Sequence, residues 1–322
     1  MKESIETVAI VGAGALGGAY AGLLYDMDNR CVSFVAGGDR FERLRREGLT
    51  VNGRHYIIPV LRPENISAPS DLIIVAVKYQ HLDNAIRDMK NRVGAETTII
   101  SVMNGIESEE RIGAAYGAEK VLYAVSLGID ALREGNRVNY ASQGKILFGE
   151  ARNTFLTDRV KRVQALFDRA GIIYETPPDM VRVLWWKFMI NVGINQASAV
   201  LRAPFHVFQT SREARDLMES AMREVVMLSA KAGVNLTRED IEEFNKILTA
   251  INPQGKTSML QDVEAGRKTE VEMFAGKVIE LGRKLGVPTP VNQKLFDSIR
   301  KIEAQNDSAG VALSSKIHPV IF

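Results

Sequence analysis

The run Val8-Ala9-Ile10-Val11-Gly12-Ala13-Gly14-Ala15-Leu16-Gly17-Gly18 decides how this chain is built. A short apolar stretch meets a glycine-rich turn, and Ala19, Ala21, Leu23 and Leu24 carry on as a small-residue helix. Gly12, Gly14 and Gly17 spell G-x-G-x-x-G, and each position has a mechanical reason. The first permits the tight strand-to-helix turn, the second lets backbone approach a pyrophosphate, and the third lets the helix lie close on the sheet. The helix N-terminus then presents free N–H groups and a positive dipole end to phosphates. Gly12, Ala13, Gly14, Ala15, Leu16 and Gly17 are therefore candidate dinucleotide-binding residues.

Working outward, residues 7–11 read as a strand and 15–27 as the helix after it. Strand 31–35 and a charged helix over 40–47 follow. Residues 50–51 and 56–60 flank Asn52-Gly53, a strong hairpin signal. Residues 71–77 form an almost unbroken apolar run, the mark of a strand buried on both faces of a parallel sheet. Helix 80–90, buried strand 97–102 and helix 106–115 continue the alternation. Strands over 121–129 and 137–148, helix 157–169 and strand 172–174 close it. This is an α/β Rossmann-type doubly wound sheet with antiparallel additions.

Near Pro177-Pro178 strand signals stop. Residues 180–201, 211–232, 238–248, 269–285 and 290–305 read as helices, with a capping box at Thr237–Asp240. The expected domains are 1–178, binding a dinucleotide, and 179–322, an all-α substrate and catalytic domain.

Composition narrows the function. The chain has 322 residues, with 41 basic and 39 acidic side chains and a net charge of +2. That balance argues against nucleic acid or an anionic membrane as partner. No apolar run approaches the roughly 18 residues of a membrane span, and residues 1–6 lack the apolar core of a secretory signal. A cytoplasmic protein is expected. The one cysteine, Cys31, lies in a strand pattern and reads as core. The histidines His55, His81, His206 and His318 are scattered, so no metal is expected. Met218, Met222 and Met227 on helix 211–232 fit either core or a homodimer seam through the helical domain.

Several polar groups sit where a packed core would not want them. Lys78 ends the buried strand 72–77, and Asn104-Gly105 ends the buried strand 97–102. Carboxyl ends of strands border the ligand crevice of an open α/β sheet, so Lys78 and Asn104 are expected to face cofactor or substrate. At the end of strand two, Gly37-Gly38 and Arg40 suit a 2′-phosphate, whereas Asp39 suits ribose hydroxyls. NADP(H) is preferred over NAD(H). On the helix around Trp185-Trp186, Lys187, Asn191 and Asn195 are spaced i, i+4, i+8, drifting by about 80° across two turns. Such a stripe among apolar neighbours needs partners, supplied by a ligand cleft or by a polar seam between domains. A lysine desolvated there has its pKa pulled toward that of a general acid. Ser258 and Asp262 lie one turn apart, and Thr269 and Glu270 open a predicted helix. By periodicity alone these four read as capping residues.

Together, Gly12–Gly17, Ala76-Val77-Lys78, Asn104-Gly105, Trp186-Lys187 with Asn191 and Asn195, and Ser258-Met259-Leu260-Gln261-Asp262 with Thr269-Glu270 resemble the ketopantoate reductase (2-dehydropantoate 2-reductase) family over nearly the whole chain. The resemblance implies a helical domain like that of 6-phosphogluconate dehydrogenase. It implies NADPH-dependent reduction of the 2-keto acid ketopantoate to pantoate, in pantothenate biosynthesis. It assigns Lys187 and Glu270 as catalytic, the first as proton donor and the second on the substrate hydroxyl. It assigns Asn104, Asn191, Asn195 and Ser258 to substrate, and Lys78 and Asn104 to the cofactor. Two positions depart from the family pattern: Ala36 stands where arginine is common, and Phe205 follows Pro204 where asparagine is common. Reduction of a different 2-keto acid, and dinucleotide sensing without catalysis, are the competing readings.

Overall fold

The computed structural model describes residues 4–314, with side chains described through residue 306. His318 lies outside the described residues. The chain divides into two compact units, Met1–Leu184 and Trp185–Phe322, so the division falls inside a helix.

In the first unit, β1 (Val8–Val11), α1 (Ala15–Met27), β2 (Val32–Val35) and α2 (Gly38–Glu47) lead to the short strands β3 (Leu49–Val51), β4 (Arg54–Tyr56) and β5 (Val60–Leu61). Then come β6 (Leu72–Val75), α3 (Leu82–Asp88), β7 (Thr98–Ser101), α4 (Ser108–Tyr116) and β8 (Val121–Ile129). The unit closes with β9 (Leu132–Glu134), β10 (Arg137–Asn139), β11 (Gln143–Gly149), α5 (Asp158–Ala170) and β12 (Tyr174–Glu175). Eight strands form the main sheet in the order β12-β11-β8-β7-β6-β1-β2-β5. All pairings are parallel except β11 with β8. β1, β6 and β7 are wholly buried, as apolar runs in a parallel sheet require.

Register sets the functional edge. Val11 lies beside Val75, and Val75 beside Ser101, so three adjacent strands end level. The chain runs from β1 outward to β2 and β5, then crosses to β6 and β7 on the other side. The switch point therefore lies between β1 and β6, where α/β sheets open their ligand crevice.

The hairpin differs from the sequence expectation. Asn52-Gly53 does turn, with positive φ at both residues, but it joins β3 to β4 (Leu49 opposite Tyr56). Val60 and Leu61 instead extend the main sheet beside β2. The run 137–148 is likewise split: β10 pairs with β9 and β3, whereas β11 pairs with β8. The result is a separate four-stranded sheet, β4-β3-β10-β9. Alternating apolarity cannot say which sheet a short strand joins. Gly18 on α1 makes room for it, since a Cβ there would stand 2.8 Å from Leu49 and 3.0 Å from Val138 side-chain atoms.

The second unit is helical: α6 (Met180–Ile190, begun in the first unit), α7 (Gln196–Leu201), α8 (Phe205–Thr210), α9 (Arg212–Lys231), α10 (Arg238–Ala250), α11 (Ser258–Glu264), α12 (Lys277–Leu285) and α13 (Pro290–Ser314). Two π-helical turns interrupt the expected long helices, at Asn191–Asn195 and Glu272–Gly276. The capping box at Thr237 and Asp240 is present. Met218 and Met222 are core, while Met227 is 47% exposed. Cys31 is buried, and burial pushes its thiol up to about 11.

Candidate functional site

In the first unit the glycine turn is shaped by its neighbours. Gly12 has φ +112°, and a Cβ there would lie 2.4 Å from the Ala76 carbonyl oxygen. A Cβ at Gly17 would overlap the Gly12 carbonyl oxygen at 1.9 Å. Both glycines are required by the chain itself. Gly14 is different: its Cβ would meet only Ala76 O at 3.7 Å, an ordinary contact. Space above Gly14 is open, as expected where backbone must approach a ligand. Gly14 is also the N-cap of α1, no side chain caps that helix, and its first turn carries no acidic residue. Its amide groups and dipole are thus available to an anion.

Lys78 and Asn104 lie just past the level ends of β6 and β7, each with intermediate exposure. Lys78 caps a short 3₁₀ turn, and its carbonyl accepts the His81 N–H at 2.8 Å. Arg40, on the exposed face of α2, acts on the same histidine. Burial first, then the charges of Arg40 and Lys78, hold the His81 imidazole below its ordinary value. Arg133, on β9, was not legible as a site residue. Burial lowers its pKa first, and the charges of Arg43 and Arg40 lower it further, which gathers three arginines of the first unit into one positive region. The position of Arg133 in sequence gave no signal, because it reaches this region only through the second sheet. Ala36 is buried just beyond β2, and its N–H donates to Leu61 O at 3.1 Å.

A chain of polar bonds links the end of β7 to the start of α4. Ser101 Oγ donates to Ser108 Oγ at 2.8 Å, and Ser108 Oγ donates to Glu109 Oε2 at 3.0 Å. Glu109 is buried, its Oε1 has no partner, and burial pushes its carboxyl up to about 7. This residue too escaped the sequence reading, because a Glu in the first turn of a helix is commonplace.

In the second unit, Lys187 stands four residues before the start of the first π turn. Burial alone pulls its ammonium down to about 8. Asn191 and Asn195 are the first and last residues of that turn and are 4% and 5% exposed. The sequence predicts one unbroken helix over 180–201 with a steady drift of about 80°. The structure corrects this, because i→i+5 bonding widens the turn and changes how the two amides are spaced around the axis. The buried Gln196 side chain steadies the bulge. Its Nε2 donates to Val192 O at 2.7 Å and to Asn292 Oδ1 at 3.0 Å, and Asn292 in turn donates to Glu224 at 2.7 Å.

The turn at Asn191–Asn195 touches both α11 and the second π turn. Ser258, the first residue of α11, is exposed. The cap is Thr257, which accepts the Leu260 N–H at 3.2 Å. Asp262, expected to share Ser258's face, is buried and paired with Arg267 at 2.8 Å. Glu270 lies two residues before the second π turn, and its carbonyl accepts the Met273 N–H at 3.0 Å. The expected helix start at Thr269 is corrected as well. The assigned helical turn begins at Glu272, not at Thr269; Thr269 is buried, its hydroxyl donates to Glu303 Oε1 at 2.7 Å, and its oxygen accepts the Val271 N–H at 3.3 Å ahead of that turn. The N–H of Phe205 donates to Gly255 O at 3.0 Å, which anchors it to the loop leading into α11. The structure thus brings Asn191, Asn195, Ser258 and the Glu270 segment onto one set of touching elements. It groups the glycine turn, Arg40, Lys78 and Asn104 at the crevice edge of the other unit.

Among the described residues, no group of three or more His, Cys, Asp or Glu is placed to hold a metal ion. None of their helices is long and apolar enough to cross a membrane.

A doubly wound sheet with a glycine-rich turn at its switch point, followed by an all-helical unit, defines a class of two-domain α/β proteins to which many dehydrogenases belong. Within it, this chain belongs to the ketopantoate reductase family: residues 8–153 match the model "Ketopantoate reductase PanE/ApbA", and residues 179–303 match its C-terminal counterpart. The family is one of oxidoreductases. The chain is 26% identical over 302 residues to a 2-dehydropantoate 2-reductase of Aquifex aeolicus (strain VF5), covering 92% of this chain and 97% of that one. Among solved structures, 2-dehydropantoate 2-reductase from Geobacter metallireducens GS-15 is 27% identical, with a TM-score of 0.80 and coverage of 92% and 99%. A ternary structure of D-mandelate dehydrogenase with NADH and anilino(oxo)acetate superposes with a TM-score of 0.84 over 94% and 99% of the two chains. At 20% identity, that likeness is one of fold.

Proposed function

We propose that this chain reduces a 2-keto acid to the 2-hydroxy acid with a nicotinamide cofactor, that the substrate is ketopantoate (2-dehydropantoate), and that NADPH is the preferred donor. The observation that carries the reading is Lys187, a lysine brought by burial to about 8 and set one turn before buried Asn191 and two turns before buried Asn195. A general acid working near neutral pH suits such a position.

The residues fit the cofactor. Gly12–Gly17 leave an open approach at Gly14 and an uncapped helix N-terminus for the pyrophosphate. Arg40, with Arg43 and Arg133 nearby, suits a 2′-phosphate. When bound, the cofactor supplies a hydride to the keto carbon. As negative charge grows on the keto oxygen, Lys187 Nζ neutralises it and delivers the proton. Asn191, Asn195 and Ser258 hold the carboxylate through their amides and hydroxyl, Glu270 accepts from the substrate hydroxyl, and Lys78 and Asn104 orient the nicotinamide half. The D-mandelate dehydrogenase neighbour is solved with NADH, and NADH is the alternative donor here. The setting of the reaction would be pantothenate biosynthesis in the cytoplasm. A dimeric ketopantoate reductase from Staphylococcus aureus is among the structural neighbours, and a homodimer through the helical unit is part of this reading.

Phe205 favours a second substrate. An aromatic ring where the family often places asparagine suits a less polar 2-keto acid. Absorbance loss at the reduced-nicotinamide band, with ketopantoate and phenyl-substituted 2-keto acids in parallel, separates the two. Turnover of ketopantoate with the highest kcat/KM supports the first reading. Turnover of none, with cofactor still bound, would make the chain a sensor.

A further inference from the structure

Glu303, on the last helix and 33 positions past Glu270 in sequence, bears directly on the segment that carries Glu270. Its Oε1 accepts two bonds from one residue, the Thr269 N–H at 2.8 Å and the Thr269 hydroxyl at 2.7 Å. Thr269 is 1% exposed and Glu303 9%. Two donors on one buried carboxylate oxygen fix both the position and the orientation of Thr269, because moving either bond leaves a charged acceptor unsatisfied. The Thr269 hydroxyl oxygen also accepts the Val271 N–H at 3.3 Å, so the clamp spans the residues on either side of Glu270. The other oxygen, Oε2, accepts from Arg300 Nη1 at 2.9 Å, and the same Nη1 reaches Glu272 Oε1 at 3.0 Å. Thr269 and Glu272 bracket Glu270, and both are tied to α13 through Glu303 and Arg300.

A cap serves its own helix. Here the threonine hydroxyl donates to a carboxylate from another helix, and the residue it fixes has Glu270 as its neighbour. From this geometry we propose that Glu303 is a positioning residue for Glu270, setting the register in which the Glu270 carboxylate meets the substrate. The proposal rests on the reading that Glu270 engages substrate, and it adds a second glutamate that never touches it.

The test is steady-state kinetics of the full chain with ketopantoate and NADPH. The variants are Glu303→Ala, Glu303→Gln, Thr269→Val and Glu270→Ala, each with its melting temperature. Glu303→Ala should raise the KM for the keto acid by roughly ten-fold or more and lower kcat, leaving the KM for NADPH unchanged. Glu303→Gln keeps an oxygen acceptor and should recover most of the loss, while Thr269→Val should give an intermediate effect. If Glu303→Ala melts lower yet shows wild-type keto-acid KM and kcat at a temperature where it is folded, the residue is structural only and the proposal fails. If Glu303→Ala does not fold, Thr269→Val and Glu303→Gln decide, and wild-type kinetics in both overturn the proposal. Wild-type kinetics in Glu270→Ala would instead remove the reading of Glu270 and the proposal with it.

Discussion

Asn191 and Asn195 are the first and last residues of one π-helical turn, and the glycine between them, Gly193, lets that turn pack on α9. A Cβ at Gly193 would stand 2.5 Å and 2.6 Å from Met222 side-chain atoms and 3.0 Å from the Met218 carbonyl oxygen. The methionine can swing aside, but the carbonyl cannot. Gly193→Ala should therefore destabilise by about 1–3 kcal/mol, as overpacking does. It should also raise the keto-acid KM as the two amides move, with cofactor affinity unchanged. Thermal melts and substrate titrations on one sample check both halves.

Lys187 gives a pH signature with a definite sign. As a general acid it must be protonated, and its ammonium titrates near 8 rather than at its ordinary 10.5. Reduction should hold below about 8 and fall as pH rises through it. The same depression means that the folded state disfavours the charge, so stability is lost as pH falls through about 8 and is regained above 10.5. Lys187→Met should accordingly abolish turnover while raising the melting temperature at pH 7, the opposite of what loss of a structural lysine would do.

Glu109 predicts a pH dependence of stability in the first unit. Its carboxyl is raised from 4.5 to about 7, chiefly by burial. The unfolded chain ionises it first, so its stabilising contribution is full below 4.5 and lost by about 7. The difference amounts to about 3 kcal/mol. Glu109→Gln should flatten the melting temperature between those limits. An unchanged slope would assign the dependence elsewhere.

Arg40 is the side chain on which cofactor choice turns in this account. Arg40→Ala should weaken NADPH by roughly ten-fold or more and leave NADH nearly unaffected, since only the former carries a 2′-phosphate. Equal weakening of both would show that Arg40 does not read that group.

The first unit was largely legible, because buried parallel strands are continuous apolar runs and the glycine turn is local chemistry. Val8–Val11, Leu72–Val75 and Thr98–Ser101 all lie inside expected strands. The separate small sheet was not, since β3 and β10 meet across a sequence gap that no turn signal spans. In the second unit the helices could be read but the π turns could not. The bulge at Asn191–Asn195 depends on Gln196 meeting Asn292 and on Gly193 meeting Met222, contacts between distant parts of the chain. Spacing brought Lys187, Asn191 and Asn195 into view, whereas Arg133 and Glu303 join their clusters only through tertiary structure.

In the proposed function, Lys187 is the proton donor of a 2-keto acid reductase. Turnover of ketopantoate, run with NADPH and NADH side by side for the wild type and Lys187→Ala, tests it most directly. The expected result is NADPH-favoured reduction by the wild type, and a loss of several orders of magnitude in Lys187→Ala with cofactor binding intact. Near-normal turnover in Lys187→Ala would contradict it.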